Sequence, residues 1–264
     1  MLLNYLRRNF NNSVLIKLLL LMLSIDIIFI VGDIISHYFL FTNPGYSPLR
    51  YTNYYVDSDG GYPEFFQYLK FLIICTVLFL TMVRTKNYSF IFWILLFFLL
   101  FLDDAFSFHE GMGEVFAGMF DLPSFAGLRP VDIGELLYYI SVGGALGAVG
   151  LLSYHYGNVF FKNASIDLGL LFGILLFFAV FMDVAHGMLA FHKFLGYLFV
   201  LLEDGGEMVA LSLITWYAVH LSNSGPRPAY LFSYFTSDRY GFWGYRLYNS
   251  CYTYITQRAL KEIN

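Results

Sequence analysis

Six stretches of this sequence are apolar over about the 20 residues that a helix needs to cross a bilayer, and that repetition constrains the fold more than any motif does. They run from about Val14 to Phe41, Phe66 to Val83, Tyr88 to Phe108, Val131 to Tyr154, Ile166 to Leu189 and Gly196 to Leu221. Polar or basic links such as "TNPGYSPLRYTNYYVDSDGGYPE", "RTKN" and "DLPSFAGLRP" separate them, and "SNSGPRP" closes the last. The expected fold is all-α: an integral membrane bundle of six transmembrane helices over residues 1–228, then an aromatic, basic interfacial tail over 229–264. The opening "MLLNYLRRNFNNSVLIKLLLLMLSI" has the basic start and apolar run of a signal peptide. That run continues to Phe41 with no small-residue cleavage site, so it is expected to stay as the first span.

Only 13% of the 264 residues are charged, against roughly 25% in soluble chains. The net charge of −4 and the lack of a basic stripe exclude nucleic acid as a partner. Cys75 falls in a span and Cys251 in the tail, which rules out a disulfide framework and any CxxC metal motif. Basic residues set the orientation. Arg7, Arg8, Lys17, Arg84, Lys86, Lys162, Arg227, Arg239, Arg246, Arg258 and Lys261 collect on one side, and Arg50, Lys70, Arg129 and Lys193 on the other. Positive charge stays inside, so both termini are expected in the cytoplasm, in the inner membrane of a bacterium.

Against the apolar background, "FLDDAFSFHEGMGE" places Asp103, Asp104, His109, Glu110 and Glu114 at the end of the third span. An isolated charge at the bilayer centre costs on the order of 3 kcal/mol, so such groups turn toward the bundle interior, water, a metal or one another. In a continuous helix Asp103, Ser107, Glu110 and Glu114 share one stripe. The same outer depth receives Asp33 and His37 from span 1, Asp132 and Glu135 from span 4, Asp183 and His186 from span 5, and Glu203, Asp204 and Glu207 from span 6. Asp26, deeper in span 1, marks either a protonated, hydrogen-bonded carboxyl or a proton path. Gly143 and Gly147 have the GxxxG spacing that permits close helix contact.

So many carboxylates cannot all remain ionised in a low dielectric, and no Lys or Arg stands within the stripes to pair with them. A divalent transition metal (zinc, iron or manganese) answers both the acids and the histidines. The expected metal ligands come from Asp33, His37, Asp103, Asp104, His109, Glu135, Asp183, His186 and Glu203, with Glu110 and Glu207 as catalytic proton carriers. A single zinc would use His37, His109 and His186 with an acid or water; a dinuclear site would use four acids and two histidines, Asp183 and His186 having the i, i+3 spacing of such sites. Plain structural roles compete: Asp132 as a helix-start residue, Glu114 and Asp121 as solvated groups, His155, His192 and His220 as interfacial ones.

"LDDAFSFHE" also resembles a motif of small polytopic bacterial membrane proteins, LDD or LDE followed by four residues and HE. The resemblance implies that Asp103, Asp104, His109 and Glu110 form a unit, and it brings no activity with it. The expected function is a membrane metalloenzyme acting on a lipid or other apolar substrate. The alternative is a membrane subunit or proton or cation conduit, with the tail docking to a protein partner.

Overall fold

The computed structural model describes residues 13–42, 52–189 and 193–223. Among these the only regular elements are helices. They are α1 (Ser13–Thr42), α2 (Tyr62–Thr85), α3 (Ile91–Ala105), α4 (Phe108–Met119), α5 (Pro130–Tyr156), α6 (Val159–Leu176), α7 (Asp183–Leu189) and α8 (Lys193–Asn223). Thr52–Tyr54 and Tyr88–Phe90 are single 3-10 turns, and Phe177–Met182 is a π-helical turn joining α6 to α7. The expected tail, 229–264, lies outside the described residues.

Five helical stretches are long and apolar enough to cross a membrane: Val14–Thr42, Tyr62–Thr85, Tyr88–Ala105, Pro130–Tyr156 and Val159–Met188. These match the first five expected spans. The chain is an apolar helical bundle suited to membrane integration. The sixth expected span, α8, is 31 residues long but too acidic in its first half to meet the same standard of apolarity. Its position explains why. It packs against α1, α2, α6, α7 and the π turn, and Met208, Leu211, Ile214, Tyr217 and Ala218 are fully buried along it. A helix enclosed by others need not be apolar toward lipid, only matched to its neighbours.

The inner face of α2 shows this matching. Gln67, Lys70, Phe71, Ile74, Leu78 and Thr81 repeat at helical spacing and are all buried. Lys70, expected among the outer cations, instead lies in the core, with 1% exposure. Its Nζ donates to Asp26 Oδ1 at 2.6 Å and to the Met208 carbonyl at 2.9 Å, while Ser212 Oγ donates to Asp26 Oδ2 at 2.6 Å. The expectation that no basic residue reaches the acidic stripes therefore fails at Asp26. One lysine ties α1, α2 and α8 together there.

Two further departures concern backbone. The expected continuous helix through Glu114 breaks at Ser107, whose φ of 46° is left-handed. The close helix contact also falls elsewhere than Gly143 and Gly147, where an added Cβ would meet nothing within 4 Å. It is made by Gly113 of α4 and Gly134 of α5, where a Cβ on Gly134 would come within 2.1 Å of the Gly113 carbonyl oxygen. Short links join successive helices. Asn87 Nδ2 donates to Asn158 Oδ1 at 2.8 Å, and Asn158 caps α6 by accepting from Phe161 N.

Candidate functional site

The break at Ser107 builds the first part of the site. Asp103 and His109 are six residues apart, which on a straight helix would put them ~120° apart and ~9 Å along the axis, at ~1.5 Å per residue. With the chain turned between α3 and α4, His109 Nδ1 comes to 3.3 Å from Asp103 Oδ2. Tyr138 of α5 donates its hydroxyl to Asp103 Oδ1 at 2.9 Å, and Tyr139 stacks on the His109 ring at 5.8 Å. Of the four residues that the motif groups, Asp103 and His109 thus come together, while Asp104 and Glu110 only line the same cavity; α4 is held against α5 by the Gly113–Gly134 contact.

The π turn builds the second part. A π turn widens the helix and shifts the phase of the residues beyond it. Gly206 makes room for it: a Cβ there would stand 2.2 Å from Phe178 Cδ1. Past the turn, Asp183 and His186 point from α7 toward Glu203 of α8. His186 Nδ1 lies 3.5 Å from Glu203 Oε2, and one ligand atom from each of Asp183, His186 and Glu203 falls within 4.8 Å of the others. The 3.5 Å edge is close to the separation of neighbouring ligands on a metal held at ~2.0–2.1 Å. The other edges are wider, within 4.8 Å, and all three side chains are partly buried.

Both parts open on one cavity of about 1690 Å³. Asp104, Glu110, Glu135, Asp204 and Glu207 also line it. Glu110 is exposed at the mouth, on the first turn of α4; Glu207 stands inside, half-buried. Most expected site residues therefore share this cavity. Asp33 and His37 do not belong to its wall. His37 Nδ1 lies 3.3 Å from Asp33 Oδ2, Tyr197 donates to the same oxygen at 2.8 Å, and the His37 ring packs between Tyr55 and Tyr197. The three histidines thus pair with three different carboxylates, Asp33, Asp103 and Glu203, so the arrangement does not support the three-histidine zinc centre. Asp132 is a helix-start residue, as its position suggested. It accepts from the Arg129 backbone at 2.8 Å and from the Arg129 guanidinium at 2.9 and 2.7 Å.

A family model described as a domain of unknown function, DUF8692, matches residues 26–222. The chain belongs to the DUF8692 family. The matched stretch holds α2 to α7 whole and most of α1 and α8, so the cavity and every residue named in its wall fall inside the family's domain. No curated protein and no solved structure matches the chain.

Sequence reasoning missed two things in this DUF8692 domain. One is the Lys70 pairing, whose signal was the helical phase of α2. The other is Asp167 of α6, fully buried and accepting from the Tyr217 hydroxyl at 2.8 Å. Asp167 sits near the start of the fifth span, where a charge is easily taken for an interfacial one.

Proposed function

We propose that the chain is a membrane-embedded metal-binding protein, and that it acts as a metalloenzyme on a lipid or other apolar substrate. One observation carries this reading: Asp183, His186 and Glu203 converge from two helices on the wall of a cavity whose remaining surface is largely apolar. One histidine with two carboxylates suits zinc, iron or manganese, and three protein ligands leave a position open for water or substrate. A metal in that position would polarise a substrate oxygen or activate a water. Glu207, half-buried and facing the same space, is the better placed proton carrier; Glu110 at the mouth would exchange protons with solvent. Asp103, which accepts from Tyr138 and lies beside His109, forms a separate group on the cavity wall, able to orient substrate.

The proposal includes α8 as a sixth span, both termini in the cytoplasm, placement in a bacterial inner membrane, and a tail at 229–264 that docks to a partner. Metal content is the test: His186→Ala with Asp183→Ala should abolish it, and its persistence would remove the metal site.

A second reading is favoured by a different observation. Polar groups continue along buried faces beyond the cavity: Asp26, Lys70 and Ser212, then Thr215, then Tyr217 with Asp167. A conduit for protons would need such a series. Proton flux into vesicles containing the purified protein, with and without Ser212→Ala, separates the two readings: flux lost with the hydroxyl favours the conduit.

A further inference from the structure

The cavity does not end at the carboxylates. Below Asp103 it continues between α3, α5 and α6, where Trp93, Leu96, Leu146, Phe172 and Leu175 form its wall. It exists because α5 rests mainly on α4 and touches α3 and α6 sparsely, and Gly143 and Gly147 line it where an added Cβ would meet nothing within 4 Å. From Asp103 to Phe92 along α3 is eleven residues, about 16 Å at 1.5 Å per residue. That is close to one leaflet of a hydrocarbon core of about 30 Å.

The polar end has a definite sign. Among the described residues that line the cavity there are a dozen carboxylates, Asp57, Asp59, Glu64 and Glu114 at its polar end among them, and one guanidinium, Arg129, already held by Asp132. An anionic headgroup would be repelled by the carboxylates that stay ionised, and an ammonium would pair with them.

We propose that the cavity binds a single-chain lipid with an amine-bearing head, its tail between α3, α5 and α6 and its ammonium at the carboxylates. The proposal names the substrate class of the site described above and rests on that reading only for what happens to the lipid once bound. Gly147 is the point at which to block the tail, because it lines the cavity and a Cβ there meets nothing within 4 Å. Trp93 reports occupancy, being 5% exposed, in the cavity wall and fixed by a 2.9 Å hydrogen bond to Ser165.

The experiment uses the full chain with Trp216→Phe and Trp243→Phe, in phosphatidylcholine vesicles, titrated with hexadecylamine brominated at the tail end. The expected result is saturable quenching of Trp93, at about tenfold lower concentration than for the matching hexadecanoic acid or hexadecanol, and abolished by Gly147→Phe. Quenching that rises linearly with lipid fraction, equal quenching by the acid or the alcohol, or no effect of Gly147→Phe would overturn the proposal. Equilibrium binding of radiolabelled hexadecylamine to the otherwise unmodified protein and to Gly147→Phe repeats the test without the tryptophan changes. Metal content measured on the same samples keeps the two ideas apart. Amine binding by metal-free protein sinks the metal reading alone, and a metal-loaded protein that does not prefer the amine sinks this one alone.

Discussion

Lys70 and Asp26 show how far a single side chain can decide what holds this bundle together. The pair is enclosed, at 1% and 0% exposure, and each member keeps the other's charge tolerable. Removing one partner leaves an unpaired buried charge, which costs about 3–5 kcal/mol, whereas replacing both with apolar groups of similar volume is often neutral. Lys70→Met should therefore lower the thermal midpoint of the purified protein sharply, and Lys70→Met with Asp26→Leu should recover most of the loss. If the double variant melts no higher than the single one, the pair is not a stabilising unit. Residue types and depth were legible for most of the site: Asp103, His109, Glu135, Asp183, His186, Glu203 and Glu207 all reach one cavity. Partners were not legible. Asp33 and His37 share the depth of the others but turn to Tyr197, because depth along a helix says nothing about which neighbour it faces. Metal affinity belongs at this scale too. The His ligand has to be neutral and the carboxylates ionised, so metal bound at Asp183, His186 and Glu203 should be released in an acid titration. Retention of full metal content across that titration would speak against these ligands.

At the scale of elements, the site depends on two interruptions that helical periodicity cannot reveal. Five of the spans follow from length and apolarity alone. The turn at Ser107 and the π turn at Phe177–Met182 do not, since both sit inside runs that read as continuous helix. Each changes the phase of the residues beyond it: the break at Ser107 lies between Asp103 and His109, and the π turn stands directly before Asp183 and His186. Gly206→Leu takes the room that the wide turn needs beside Phe178, and a turn forced to α-helix with no residue removed should rotate Asp183 and His186 by ~100° relative to α6. Helix content by circular dichroism should be unchanged while bound metal is lost; metal retained in a folded Gly206→Leu variant would show that the turn does not position the ligands. Glycine contacts give a second check. Gly134→Leu places a side chain against the Gly113 backbone, where overpacking costs about 1–3 kcal/mol or more. Gly143→Leu meets open space, and a measured midpoint close to that of wild type is expected there.

For the whole molecule, the bundle is organised around α8, the long helix with the most carboxylates and the one that most others touch. That inversion is why composition identified a membrane protein readily but marked the sixth span less sharply than the first five. The proposed topology, six spans with both ends in the cytoplasm, would put the link holding Asp59 outside. Asp59→Cys, in a chain with Cys75 and Cys251 replaced by serine, should label from the outer face of intact cells; labelling from the cytoplasm alone would reverse the topology. The acidic interior is, on this reading, organised by a metal, and elemental analysis of protein purified without chelator tests that most directly. About one transition-metal ion per chain is expected at a three-ligand site. It should be lost in Asp183→Ala with His186→Ala and kept in His109→Ala. Metal-free wild-type protein, or unchanged metal in the Asp183 and His186 variant, would contradict it.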